Sequence, residues 1–203
     1  MSGLAADLVR LAEGAQGRFL LGVAGAPGSG KSTIAARLAA AVPGGAMLPM
    51  DGFHLDDSIL IARGHRDRKG APHTFDVDGF CALLARVRAG EHVYAPVFDR
   101  SLELSRAAAL EIGPEARIVV IEGNYLLHDG SGWEAVRPLL DACWFLDVPR
   151  EELDRRLMQR WADHGKDPDA ARAWIDSNDM PNVMTVERTR PRADRVVTMD
   201  DPI

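Results

Sequence analysis

Residues 25–32 read Gly25-Ala26-Pro27-Gly28-Ser29-Gly30-Lys31-Ser32, and Thr33 follows. The run fits G-x-x-x-x-G-K-[ST] and stands between a continuous apolar stretch and an alanine-rich one. Glycine permits the backbone angles that turn successive N–H groups inward around phosphate oxygens. The next segment, read as a helix, adds its first N–H groups and its dipole. Lys31 has the reach for the β- and γ-phosphates of a nucleoside triphosphate, and Ser32 offers a hydroxyl to Mg2+. Nucleotide contacts are therefore expected from Gly25 through Thr33. The plainer alternative, a glycine turn with a chance lysine, is disfavoured by the strand–turn–helix context.

Two carboxylates stand where apolar runs end. Asp51 lies in Met50-Asp51-Gly52-Phe53-His54, and Glu122 in Ile121-Glu122-Gly123-Asn124-Tyr125. The C-terminal ends of parallel strands form the ligand-binding edge of such a sheet. There Asp51 can accept the proton of an attacking hydroxyl. Glu122 can bind Mg2+ through water or orient a substrate hydroxyl. Each has a structural alternative: Asp51 as the cap of a helix over 55–63, Glu122 as the polar start of a loop. His54, beside Asp51, is assigned to the acceptor pocket. His65, His73, His92, His128 and His164 show no metal spacing and read as surface or loop residues.

A third group is basic. Arg150, Arg155, Arg156, Arg160 and Lys166 lie in or beside a charged helix expected from about Glu151 to His164. Arg156 and Arg160 are four apart and share a face, beside a packing stripe of Leu153, Leu157 and Trp161. They are candidates to meet the transferring phosphate. The competing reading is a solvated face with Glu151–Arg155 and Glu152–Arg156 pairs, each worth about 0.3–0.5 kcal/mol.

The elements that must hold these groups alternate. An opening helix carries Leu4, Leu8, Leu11 and Ala15 on one face and ends at Gly17. A buried strand follows from Phe19, then the glycine loop, then a helix from Lys31 to about Val42. A short strand over 46–50 precedes the 55–63 helix, a loop over 64–75 and a helix over 77–89. Residues 91–113 read as irregular with β character. Buried strands are expected at 117–121 and 143–147, a helix from Pro168 capped by Asp167, and a last strand at 195–199. Continuous apolar strands between helices imply a parallel sheet covered on both faces.

The chain has 203 residues, 46% apolar and 27% charged, with a formal net charge of -6. That suits one domain over 1–203 and speaks against broad attraction to nucleic acid or membranes. Cys81 and Cys143 form neither a disulfide framework nor a zinc pattern and read as buried thiols. No apolar run is long enough to span a bilayer, and acidic residues precede the first one. A cytoplasmic protein is expected. The guanine-reading N-K-x-D is absent, so the length points to a small-molecule or nucleotide kinase.

The glycine loop, MDGFH at 50–54, RKGAPHTFD at 68–76, APVFDR at 95–100 and IEGNYLL at 121–127 occur in this order. In this the chain resembles the uridine kinase, pantothenate kinase and phosphoribulokinase group over about residues 18–200. It looks closest to the uridine-kinase-like proteins labelled fructose transport system kinases. The resemblance implies a P-loop NTPase three-layer sandwich, with a central, mainly parallel sheet and a helical lid at about 150–180. It also implies ATP with Mg2+ and phosphorylation of an alcohol. Asp51 matches the group's general base and Glu122 its second carboxylate. Asp99 and Arg100 fall in its acceptor-binding segment, and Arg155, Arg156 and Arg160 in its R-R-x-x-x-R pattern. Nucleoside-phosphorylating members carry an aspartate where Gly70 stands, a tyrosine at Phe98 and a histidine at Glu103. These departures disfavour a nucleoside, and a pantothenate kinase of the group would want a longer chain, so a sugar or sugar-like acceptor is favoured. A nucleotide-binding regulator with no acceptor is a further alternative, and a homodimer is compatible with the sequence.

Overall fold

The computed structural model describes residues 3–203. Five parallel strands form the central sheet: β1 (Phe19–Gly25), β2 (Gly45–Pro49), β5 (Ile118–Gly123), β6 (Ala142–Leu146) and β7 (Arg195–Val197). Their spatial order is β2-β5-β1-β6-β7. Every residue of β1, β5 and β6 is buried. This is why those segments read as unbroken apolar runs: helices cover both faces. The architecture is the α/β P-loop NTPase fold. β1 has β5 on one side and β6 on the other, so the crevice at the strand ends opens above it.

The helix α1 (Leu4–Ala12) precedes the first strand, and α2 (Lys31–Ala41), α3 (Asp57–Ala62), α4 (Val77–Arg88), α5 (Arg150–Asp163), α6 (Pro168–Trp174) and α7 (Met180–Glu187) lie between strands. α1 stops at Ala12, short of Gly17. Leu11, expected on its buried face, is 49% exposed because the last turn overhangs an open groove beside Trp144 and Arg195. Cys143 is buried as expected, whereas Cys81, at the edge of the core on α4, is only half-buried. The last strand ends at Val197 rather than 199.

Residues 91–113 are more regular than the sequence suggested. β3 (Val93–Asp99) and β4 (Leu104–Ile112) pair antiparallel as a separate hairpin, with a register shift between Ala95 and Val97. The intervening Pro96 explains the difference, since proline enters strands only at edges and bulges. The Pro96 carbonyl faces Gly52, where any Cβ would overlap it. That contact seats the hairpin against Met50–Phe53, a single helical turn following β2.

Arg18 is only 7% exposed. Its guanidinium donates to the carbonyls of Ala116 (3.0 Å), Val87 (3.2 Å), Glu91 (2.7 Å) and Gly113 (2.5 Å). One side chain thus ties the start of β1 to the end of α4 and the approach to β5. Arg18→Ala leaves several buried carbonyls unpaired, each costing about 1–3 kcal/mol. Urea unfolding is expected to show a loss of at least about 3 kcal/mol by that arithmetic. A loss under about 1 kcal/mol would mean that water replaces the guanidinium without penalty.

Candidate active site

The glycine loop joins β1 to α2. Gly28 (φ +80°) and Gly30 (φ +89°) adopt the left-handed conformation, which admits glycine without strain. No side chain caps α2, so its first N–H groups remain available. The Ser29 Oγ is buried with no partner. Arg156 donates to the Ser29 carbonyl at 2.9 Å, so α5 clasps the loop from outside. The loop has the open donors and left-handed glycines that a phosphate group requires.

Lys31 is 9% exposed, and burial lowers its pKa, opposed by Glu122 and Asp51. β2, β5 and β1 are consecutive in the sheet, so the residues at their C-terminal ends converge. Glu122 is 3% exposed; burial raises its pKa, Lys31 lowers it, and the net shift is upward. Burial also raises Asp51, but His54, Arg100, Lys31 and Arg160 outweigh it and hold the carboxyl below its ordinary value. The nearby Ser32 side chain lowers the Glu122 pKa, against the larger effect of burial. A hydroxyl and a carboxylate beside a phosphate loop suit Mg2+, which completes its shell with substrate phosphates and water.

Lys31, Ser32 and Asp51 open into one cavity of about 880 Å3, and Glu122 is buried behind them. Asp51 does not cap α3; Asp56 does, accepting from the Ser58 N–H at 2.9 Å. Asp51 is instead ion-paired to Arg100. The His54 ring lies between Phe75 (4.1 Å) and Phe98 (4.6 Å), with Nδ1 2.7 Å from the Asp51 carbonyl oxygen. Arg160 lines the cavity, and among the described residues no carboxylate is within ion-pair distance of it.

Several expected roles are reassigned. Asp99 does not line the cavity. It accepts from Ser101 and Leu102 within the hairpin turn and pairs with Arg106 at 3.3 Å, because its position opens that turn. Arg155 pairs with Glu152 rather than Glu151, and Glu152 bridges Arg155 and Arg156 at 2.7 and 2.6 Å. His164 is exposed as expected and stands at the rim of the cavity, where the chain turns after α5. His65 lies in a loop as expected, half-buried against His73.

Other cavity residues were given no role from the sequence. Lys69 bonds Asp57 at 2.6 Å and the Glu103 carbonyl at 2.9 Å. Lys166 lies over Trp161 (4.6 Å) and Trp174 (5.0 Å). Asn124, Asn178 and Asn182 line the same space. The one available signal was the i,i+4 spacing of Asn178 and Asn182 beside the apolar positions Ile175, Val183 and Val186.

A sequence model of the Phosphoribulokinase / Uridine kinase family matches residues 20–200. The chain belongs to this family. Its members are P-loop kinases, and the glycine loop lines the cavity described above. A crystal structure of a "putative fructose transport system kinase" from Silicibacter sp. TM1040 is 44% identical. It superposes with a TM-score of 0.90 over 97% of this chain and 100% of that one. The Escherichia coli protein YggC is 33% identical over 192 residues, covering 92% of this chain and 80% of its own. The structure of YFH7 from Saccharomyces cerevisiae shares the fold, with a TM-score of 0.82 at 19% identity over 96% and 97% of the two chains. No described helix is long and apolar enough to cross a membrane.

The Glu152 clasp has a pH signature. The side-chain hydrogen bonds from Arg155 and Arg156 bring its pKa from 4.5 down to about 2. A carboxylate with a depressed folded-state pKa contributes stability that is full above its unfolded pKa and lost as pH falls through the folded one. The midpoint difference between wild type and Glu152→Gln is therefore expected to be constant at neutral pH and to shrink between about pH 4.5 and 2. A difference unchanged down to pH 2 would mean that the clasp does not hold in solution.

Proposed function

We propose that the chain transfers the γ-phosphate of ATP to a hydroxyl of a sugar or sugar-like molecule. The observation that carries this reading is the placement of Asp51 in the same cavity as Lys31, the uncapped α2 terminus and the pocket of His54 and Phe98. A nucleotide sensor would need the loop but not a carboxylate facing a second chamber. The name of the Silicibacter relative, a sugar-transport kinase, agrees with this reading.

In the proposed reaction the acceptor hydroxyl oxygen bonds to the γ-phosphorus as the β–γ bridging P–O bond breaks. ADP leaves with the bridging oxygen. The hydroxyl proton passes to Asp51 and then to solvent. Lys31 and the loop N–H groups hold the β/γ charge. Mg2+, when bound by Ser32 and reached by Glu122, supplies further charge neutralisation. The arm of α5–α7 acts as the lid: Arg156 braces the loop, while Arg160 is free to meet the transferring group. Glu122 shifts up and Asp51 down, and Asp51, which lines the cavity, is the carboxylate placed to take the proton.

The test is ATP turnover against a panel of sugars, polyols, sugar acids, nucleosides and pantothenate. Acceptor-dependent ADP release with a sugar or polyol is expected. ATP binding with no turnover on any acceptor would favour the sensor. Asp51→Asn is expected to lower kcat by about 100-fold to 10,000-fold with ATP binding retained, the usual cost of a lost base. Normal turnover in a correctly folded Asp51→Asn protein would remove that assignment.

Arg160 and Arg155 make a matched pair on one helix. Arg160→Ala is expected to lower kcat by about 100-fold, as for loss of one preorganised transition-state donor. Arg155 is exposed and paired only with Glu152, so Arg155→Ala should leave kcat within about twofold and cost at most about 1 kcal/mol of stability. Equal small effects at both positions would make the arginines a solvated helix face.

A further inference from the structure

Between α6 and α7 the helix does not continue as an α-helix. Residues Ile175–Asp179 form a π-helical turn. Such turns are rare and frequently accompany functional sites, because the extra residue rotates the helix beyond it. Here the turn carries Asn178, only 2% exposed, to the wall of the cavity. Its Nδ2 donates to the Lys69 carbonyl at 3.0 Å, which fixes the orientation of the amide. Its Oδ1 is left buried with no partner. A buried amide oxygen without a donor costs free energy, so the position calls for a ligand that donates. The Asn124 Oδ1, at the end of β5 on the same cavity, is also buried and unpartnered.

The cations of this chamber present the opposite picture. Arg66 and Lys69 are both bonded to Asp57, and Arg100 is bonded to Asp51. The charge of these three is met by carboxylates of the chain, whereas Arg160 and Lys166 of the same cavity have no ion-pair partner among the described residues. What the acceptor side lacks is hydrogen-bond donors, and it lacks them at two amide oxygens. A carboxylate or phosphate supplies none at neutral pH; a hydroxyl supplies one each.

From this, and resting on the kinase reading above, we infer that Asn178, presented by the π-helical turn, and Asn124 read hydroxyl groups of the acceptor. The substrate class is then an uncharged polyhydroxylated molecule. It carries hydroxyls beyond the one that is phosphorylated, and no acid group is required for recognition. Asn178 is a specificity-determining residue whose Oδ1 takes a hydroxyl hydrogen bond while its Nδ2 stays on Lys69.

The test uses the full chain with MgATP. The acceptors are D-fructose, D-ribose, D-xylose and xylitol, against D-gluconate, D-glycerate, D-fructose 6-phosphate, uridine and pantothenate. Turnover is expected with the uncharged sugars or polyols. The best of them is then compared with its monodeoxy analogues in wild type and in Asn178→Ala. In wild type one deoxy analogue should lose kcat/KM by tenfold or more, since a site built around a hydroxyl rejects the analogue lacking it. In Asn178→Ala that ratio should collapse toward one, with the loss appearing in KM for the acceptor and the Kd for ATP unchanged. A merely structural asparagine would lower all acceptors together and leave the ratio intact, which would overturn the assignment. Turnover confined to sugar acids, phosphates, nucleosides or pantothenate would overturn the substrate class while leaving phosphoryl transfer in place. No turnover with any acceptor would overturn the kinase reading, and this inference with it.

Discussion

An ammonium group nine-tenths removed from water governs the arrangement of this protein. Burying an unpaired charge is costly, and the cost falls only when opposite charge is fixed nearby. Lys31 meets that requirement through Glu122 and Asp51, each on a different strand end. The chain therefore has to bring β1, β2 and β5 side by side, and the order β2-β5-β1 does so. The topology and the charge balance of the site are one constraint seen at two scales. A sheet with β2 on the far edge would leave the lysine short of one carboxylate and the acceptor short of its base.

The two carboxylates around one lysine do not end up alike. Glu122 lies deeper, on a strand buried along its whole length, and desolvation dominates. Asp51 lies on a turn that the hairpin and its Arg100 can reach, and neighbouring positive charge dominates. The asymmetry is built by Gly52, which lets the Pro96 carbonyl of the hairpin approach the turn. A backbone contact thus keeps the turn that carries Asp51 within reach of Arg100.

The sequence was most legible where chemistry and backbone geometry demand the same residues. The glycine loop needs left-handed glycines, a lysine and a hydroxyl at fixed offsets, and Gly28, Gly30, Lys31 and Ser32 show that need in the letters. The buried strands were legible because a sheet covered on both faces leaves no room for polar alternation. The acceptor chamber was not. Lys69, Asn124 and Asn178 come from a loop, a strand end and a helix far apart in sequence, and no local spacing joins them. Asp99 lies off the cavity although its neighbours resemble an acceptor segment, because Ser101 and Leu102 offer it nearer donors. The hairpin was hidden by Pro96, which reads as a breaker until its bulge is seen.

The arm after β6 touches both halves of the cavity with different parts. α5 reaches the nucleotide side, where Arg156 holds the Ser29 carbonyl. The π-helical turn reaches the acceptor side, where Asn178 holds the Lys69 carbonyl. Between them the Trp161 indole donates to Asp179 at 2.8 Å, joining α5 to the π-helical turn. An arm braced in this way cannot shift at one end without straining the other. Neither contact needs a substrate to form, so the arm is aligned before either molecule arrives. Its free groups, Arg160 and the Asn178 Oδ1, are the ones left for ligands. Preorganisation of this kind spends folding energy in advance so that little reorganisation remains when the phosphate moves. The extra residue of the π-helical turn is what makes the two ends fit, because an uninterrupted α-helix would rotate Asn178 or its successors away from one of them.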